Sequence, residues 1–211
     1  MDRIYIGHLP EVGTAALAGV GLCNTIIILI SSFANIPGGG GAPLCSIALG
    51  KGRKEEAEAI LNHGMFLLIV FSAVLMVLFY GTMDPFLKAC GASEGTLPYA
   101  HQYLSIYLLG TFFVMVSVGL NPFISSQGYP RVAMLSVIIG AVINIVLDPI
   151  LMFSLEMGIA GAAAATVASQ AVSAWIVLKF LTKKEAAIRL SLKHFRLDTG
   201  VIREMTALGI S

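Results

Sequence analysis

Charge is what this sequence has least of. Only 12% of its 211 residues are Asp, Glu, Lys or Arg, against roughly a quarter in an ordinary soluble domain, while 57% are hydrophobic. That deficit excludes a water-soluble globular protein, whose surface needs far more ionised side chains. The two signs nearly cancel, 13 basic against 12 acidic residues for a net charge of +1. Neither the basic surplus of a nucleic-acid-binding surface nor the acidic surplus of a disordered tail is present. Cysteine is scarce as well: Cys23, Cys45 and Cys90 sit in apolar surroundings, with no CxxC pair and no His at ligand spacing, so they read as packing residues. Met1-Asp2-Arg3 opens without the short apolar core and small-residue cleavage site of a signal peptide. No HExxH, GxSxG or Walker pattern occurs, and His8, His63, His101 and His194 are scattered, so nothing points to an enzyme.

What the sequence has is long uncharged runs. Residues 12–50, 59–83, 95–130 and 157–178 carry no Asp, Glu, Lys or Arg, and 132–155 carries one, Asp148. A helix needs about 20 apolar residues to cross a bilayer. Five spans follow, near 15–36 with a continuation towards 49, and at 60–82, 98–121, 131–153 and 159–180. The fold class is therefore all-α, a polytopic membrane helix bundle in the lipid bilayer. Five spans put the termini on opposite faces. Arg3 and Lys88 are the basic residues of one face; the other eleven, from Lys51, Arg53 and Lys54 through Arg131 and Lys179 to Arg203, fall on the other. The positive-inside rule makes the second face cytoplasmic, with 51–58 and 182–198 inside and 84–96 outside. Met1 then lies outside, just before a polar hairpin at His8-Leu9-Pro10-Glu11, and Val201–Ser211 begins a helix and stops after three turns. The sequence is accordingly expected to be a piece of a longer membrane protein.

Glycine and the small residues are placed at recognisable spacings. Pro37-Gly38-Gly39-Gly40-Gly41-Ala42-Pro43 interrupts the first apolar run, either as a hinge or pathway-lining bend or as a loop between two short helices. Gly158, Gly161, Ala162, Ala165 and Ser169 have the spacing that lets membrane helices approach closely. Glu55, Glu56 and Glu58 beside Lys51, Arg53 and Lys54 read as a solvated helix start.

Asp148 carries the most chemistry, because an ionisable group within a span is costly and marks an ion or proton pathway unless it snorkels to water. Asn144 is four residues earlier, so both side chains share a helix face, and Pro149 limits the continuation of the helix and frees carbonyls. A carboxylate, an amide oxygen and spare carbonyls form a hard-oxygen site suited to Na⁺ or a proton. Thr166 and Gln170 are also four apart on the last span, and Asn121-Pro122 ends the third. Tyr99, Tyr103 and Tyr107 form an i, i+4, i+8 stripe near His101. Tyr99 fits an interfacial belt, while Tyr103 and Tyr107 either pack in the core or face a cavity where they stack on organic cations.

These segments, in this order, resemble the multidrug and toxic compound extrusion (MATE) transporters, in particular the bacterial and archaeal branch with the DinF-like and MepA-like proteins. Asp2–Gly7 resembles the end of that family's first helix, Ala15–Gly21 the start of its second, and Gly38–Gly52 the end of the second with its cytoplasmic turn. Asn121–Pro130 resembles the exit of the fourth helix, Asn144–Pro149 the fifth and Gly158–Thr166 the sixth; Ser125 stands where many members have Arg. The resemblance implies a six-helix amino-terminal lobe of a twelve-helix protein. Residues 1–13 would be the end of the first helix and an outer hairpin, 14–181 the membrane bundle, 182–200 a cytoplasmic linker between lobes and 201–211 the start of a seventh helix.

The resemblance further implies cation-coupled multidrug efflux by alternating access at the plasma membrane. It places a Na⁺ or H⁺ site on Asp2, Asn144, Asp148 and Thr166, with Asn121 and Tyr103 nearby; together with Tyr107 and Gln170 from the spacing above, these are the expected substrate-cavity residues. It requires no cofactor beyond the coupling ion. The implied partners are cationic amphiphiles and a carboxy-terminal lobe of the same protein. A lipid-linked oligosaccharide flippase of the same superfamily would need basic residues around a pyrophosphate, and no span contains Lys or Arg. An intramembrane enzyme would need a paired-aspartate motif around Asp2 and Asp148, and none is present.

Overall fold

The computed structural model describes residues 5–7, 13–183, 186–191 and 197–210. Asp2 and the expected hairpin at His8–Glu11 lie outside the described residues. The elements are α1 (Gly13–Gly50), α2 (Lys54–Ala89), α3 (Leu97–Leu109), α4 (Thr111–Ser126), α5 (Pro130–Pro149), a π-helical turn at Ile150–Ser154, α6 (Gly158–Thr182) and α7 (Thr199–Ile210). Helices α1, α2, α5 with its π-helical turn, and α6 are each long and apolar enough to cross a membrane, and α3 with α4 forms a fifth span bent by 59°. The expected all-α bundle of about five spans is thus the observed fold.

Each span buries one stripe and leaves the rest apolar and exposed. Leu61, Leu68, Met115, Leu120 and Phe123 are fully buried between helices, whereas Val74, Val77 and Leu78 on α2 and Trp175 on α6 lie open at the surface. A surface of this composition is stable against hydrocarbon, where backbone polar groups are satisfied within each helix. Helix α1 packs against α2, α3, α4 and α7, and α6 packs against α3, α4 and α5.

The Pro37–Pro43 segment does not interrupt α1, which is one helix of 38 residues with Pro37 and Pro43 inside it. Its glycines serve close packing. A Cβ at Gly38 would stand 2.7 Å from the Gly119 carbonyl oxygen of α4, one at Gly41 would strike the Phe123 ring, and one at Gly40 would meet the Met205 carbonyl of α7. Reciprocally, a Cβ at Gly209 of α7 would meet the Ile36 carbonyl. A proline in a membrane helix is tolerated because neighbouring helices re-satisfy the freed groups, and here those neighbours are in contact.

The third expected span is the one that breaks. Gly110 separates α3 from α4, and any side chain there would collide with Val167 of α6. Pro149 likewise does not stop its helix. The chain continues as the π-helical turn, with the Leu155 N–H donating to the Ile150 carbonyl at 3.0 Å, and Gly161 of α6 packs against the backbone of Leu151. Such turns accommodate the missing proline N–H by widening the ladder.

The acidic start of α2 is more than a solvated surface. Arg53–Glu56 and Lys54–Glu58 pair at 3.4 and 3.9 Å, but Glu58 also accepts the Arg189 backbone N–H at 3.2 Å. Three more side chains hold the chain between α6 and α7. Gln127 accepts from Ile188 N–H at 3.1 Å, Asn62 from Ser191 N–H at 2.9 Å and His63 Nε2 from Asp198 N–H at 2.8 Å.

Candidate functional site: a polar cavity beside a buried carboxylate

Helices α1 and α3 to α6 line a cavity of about 850 Å³. Asn121, Tyr103, Tyr107 and Gln170 all line it, and so do Asn144 and Thr166. Tyr103 and Tyr107 are buried, with near-parallel rings 6.2 Å apart, so the two sequence readings of the stripe coincide: the rings pack in the core and form a wall. Tyr99 does not reach the cavity. Among the described residues, no Asp, Glu, Lys, Arg or His lines it.

At the edge of this cavity lies Asp148, 0% exposed. Asn144 Nδ2 donates to Asp148 Oδ1 at 3.3 Å and to Thr166 Oγ1 at 3.3 Å. Helical spacing within α5 brings Asn144 to Asp148, and the contact of α5 with α6 brings both to Thr166. Gly140 makes that contact tight, since a Cβ there would collide with Ser173 Oγ. One detail departs from the sequence expectation: Asn144 turns its amide nitrogen, not its oxygen, to the carboxylate. A carboxyl oxygen accepts hydrogen bonds, so the amide N–H is the group that pairs with it. Asp2, the fourth expected member, lies outside the described residues.

The remaining polar groups of the wall tie helices together. Asn121 Nδ2 donates to the Ala133 carbonyl at 3.1 Å and to Ser136 Oγ at 2.9 Å, joining α4 to α5. Ser117 Oγ donates to Gln170 Oε1 at 2.6 Å, joining α4 to α6, and Ser173 Oγ donates to the Ser136 carbonyl at 3.0 Å. The sequence reading passed over Ser117, Ser136 and Ser173. A signal for Ser136 was there: positions 136, 140, 144 and 148 continue one i, i+4 row, the spacing that singled out Asn144 and Asp148.

Membrane-crossing helices folded around a cavity that, among the described residues, has no charged lining define a multi-pass membrane protein. The chain belongs to the MatE family, whose model matches residues 1–150. It is 27% identical over 210 residues to the multidrug export protein MepA of Staphylococcus haemolyticus (strain JCSC1435), a match covering 100% of this chain and 46% of that protein. It is 30% identical over 181 residues to an FAD transporter of Shewanella oneidensis, covering 83% of this chain and 38% of that one. Among solved structures, the inward-facing conformation of a multidrug resistance MATE family transporter of the MOP superfamily superposes with a TM-score of 0.93 at 25% identity, over 99% of this chain and 47% of that one. The chain spans about half the length of the relatives it matches. Members of the family are transporters, so the intramembrane-enzyme reading falls away.

Proposed function

We propose that this chain forms the amino-terminal lobe of a cation-coupled multidrug exporter that works by alternating access. The observation that carries the reading is the position of Asn144, which is at once part of the cavity wall and hydrogen-bonded to a fully buried carboxylate. A buried carboxylate at membrane depth is costly, so Asp148 gains from a proton or Na⁺. Loading it removes that cost and lets the helices around it repack towards another access state. Asp148 and Thr166 supply hard oxygens of the kind Na⁺ prefers, Asn144 holds the two together through its amide nitrogen, and Asp2 would complete the set. Two stacked tyrosines in the cavity wall suit flat organic cations.

The Shewanella relative's name raises a second substrate class, an anionic dinucleotide. Binding a pyrophosphate requires basic side chains, and none lines this cavity among the described residues, which favours cations. In the complete transporter, Asp148→Asn should abolish ion-coupled drug efflux with expression intact, because the amide keeps the shape and removes the titrating charge. Efflux at the parental rate under the same ion gradient would sink the assignment. In this reading the 211-residue chain alone confers no drug resistance on cells lacking other pumps, since the path lies between two lobes; resistance from the chain alone would refute the two-lobe path.

A further inference from the structure

The segment between α6 and α7 is held by its main chain. The successive N–H groups from Ile188 to Ser191 are all taken by the bundle. Gln127 Oε1 accepts the first at 3.1 Å, Glu58 Oε1 the second at 3.2 Å, the Leu181 carbonyl the third at 2.9 Å and Asn62 Oδ1 the fourth at 2.9 Å. Helical spacing puts Glu58 and Asn62 on one face of α2. His63, beside Asn62, accepts the Asp198 N–H on Nε2 at 2.8 Å, just before α7 begins. From there α7 lies against α1 with no room for a side chain at Gly40 or Gly209. A strap held in this way carries α7 with the bundle.

One of these acceptors can be switched off. The Asp198 N–H only donates, so Nε2 holds a lone pair; the Ala59 carbonyl, 2.7 Å from Nδ1, only accepts, so Nδ1 holds the hydrogen. Both bonds require the neutral ring in one tautomer. The amides of Gln127 and Asn62 accept at any pH, whereas imidazole is the side chain that changes charge between about pH 5 and 8. Protonation puts an N–H on Nε2, facing the Asp198 N–H, and two donors do not bond. His63 is 2% exposed, so water is not at hand to replace the lost contact. A ring that turned to the Asp198 carboxylate would take it from the Gly200 N–H, which Oδ1 accepts at 2.8 Å in the first turn of α7. Either way the entry to α7 loses a bond.

We infer that His63 is a positioning residue of the transport cycle, a latch that holds the strap and α7 to this lobe while its ring is neutral and releases them in acid. The latch needs only these hydrogen bonds; its consequence for transport rests on the proposed exporter reading. The ionisable groups around it are Lys54, Glu55, Glu56 and Glu58 on α2, Arg189 and Asp198 on the strap, and Arg203 and Glu204 on α7. Helix α1 presents the Cys45 thiol, which donates to the Ala57 carbonyl at 3.3 Å. Helix α4 has no titratable side chain, and α3 brings His101 within 3.8 Å of Asp84 near the opposite end of α2. Lys193, His194 and Arg196 fall outside the described residues.

The test uses the complete transporter in lipid nanodiscs, with nitroxides on Lys51→Cys and Leu197→Cys, both exposed positions, in an otherwise cysteine-free background. Pulsed electron paramagnetic resonance reads the distance between the labels at about pH 8 and about pH 5.5, on either side of the ordinary imidazole titration. The parent should show one narrow distance at the higher pH and a second, broad population in acid. The released fraction should rise about tenfold, the usual effect of leaving a buried donor without its acceptor. His63→Gln should stay narrow at both, because its side-chain carbonyl accepts at any pH, and His63→Leu should be broad at both. A parent distance that ignores pH, or a His63→Gln protein that opens in acid as the parent does, overturns the latch. If the variants fail to fold, the ¹⁵N shifts of the His63 ring in the parent decide: a neutral Nδ1–H ring that charges over the same pH range as the distance change supports the latch, and any other tautomer or range overturns it. Efflux is then compared between the parent and His63→Gln under equal ion gradients with the cell interior acidified. The parent should lose efflux severalfold while His63→Gln retains it. Equal efflux alongside an acid-sensitive distance overturns the role in transport. No efflux from either at any pH sinks the exporter reading, and the distances still judge the latch.

Discussion

Thr166 is the residue at which the two halves of the argument can be separated. Its hydroxyl accepts from Asn144 at 3.3 Å but carries no charge, and in a wet cavity water replaces one neutral oxygen at little cost. Thr166→Ala in the complete transporter should therefore lower coupled efflux severalfold without abolishing it, measured against Asp148→Asn in the same cells. Loss as complete as that of Asp148→Asn would mean that the hydroxyl is an essential ligand. Asn121 makes a structural prediction instead. Asn121→Leu removes both bonds between α4 and α5, so the melting temperature should fall with a loss of about 1–2 kcal/mol; an unchanged melting temperature would show that those bonds contribute nothing net. Asn144 and Asp148 were legible in the sequence because helical spacing fixes which side chains share a face. The direction of the amide was not legible, because it depends on Thr166, 22 residues further along.

At the scale of elements, sequence patterns located the helices and misjudged their interruptions. The Pro–Gly–Pro run, readable as a hinge or as a loop between two short helices, sits inside one continuous helix, where Gly38, Gly40 and Gly41 face α4 and α7 closely enough that no Cβ fits. The break falls at Gly110, a single glycine in an apolar run, where Val167 on a helix remote in sequence leaves no room for a side chain. Both outcomes depend on tertiary neighbours, which local propensity does not encode. Gly40→Ala should therefore push α7 from α1 and destabilise the protein by about 1–3 kcal/mol, the usual cost of overpacking. Gly39→Ala, where a Cβ would meet nothing within 4 Å, should be neutral or slightly stabilising. Equal melting temperatures for the two variants would show that the seam between α1 and α7 gives way freely.

For the molecule as a whole, the distribution of charge decides how the bundle sits in the membrane. The turn after α1, the start of α5 and the end of α6 gather Lys51, Arg53, Lys54, Arg131, Lys179 and Lys183 at one end. The opposite end, between α2 and α3, holds Lys88 with Asp84 and Glu94. Basic residues near the ends of spans are retained on the cytoplasmic side; in that proposed orientation the cavity-edge carboxylate, in the last turn of α5, would lie nearer the outer face, where an inward ion gradient would supply it. The orientation is testable with single cysteines in a background where Cys23, Cys45 and Cys90 are Ala. Glu94, Lys54 and Lys183 are all exposed, so a difference in labelling reflects sidedness and not burial. A membrane-impermeant maleimide added to intact cells should modify Glu94→Cys and leave Lys54→Cys and Lys183→Cys unmodified until the cells are opened. Labelling of Lys54→Cys from outside would invert the protein in the membrane, and with it the direction from which the ion reaches Asp148.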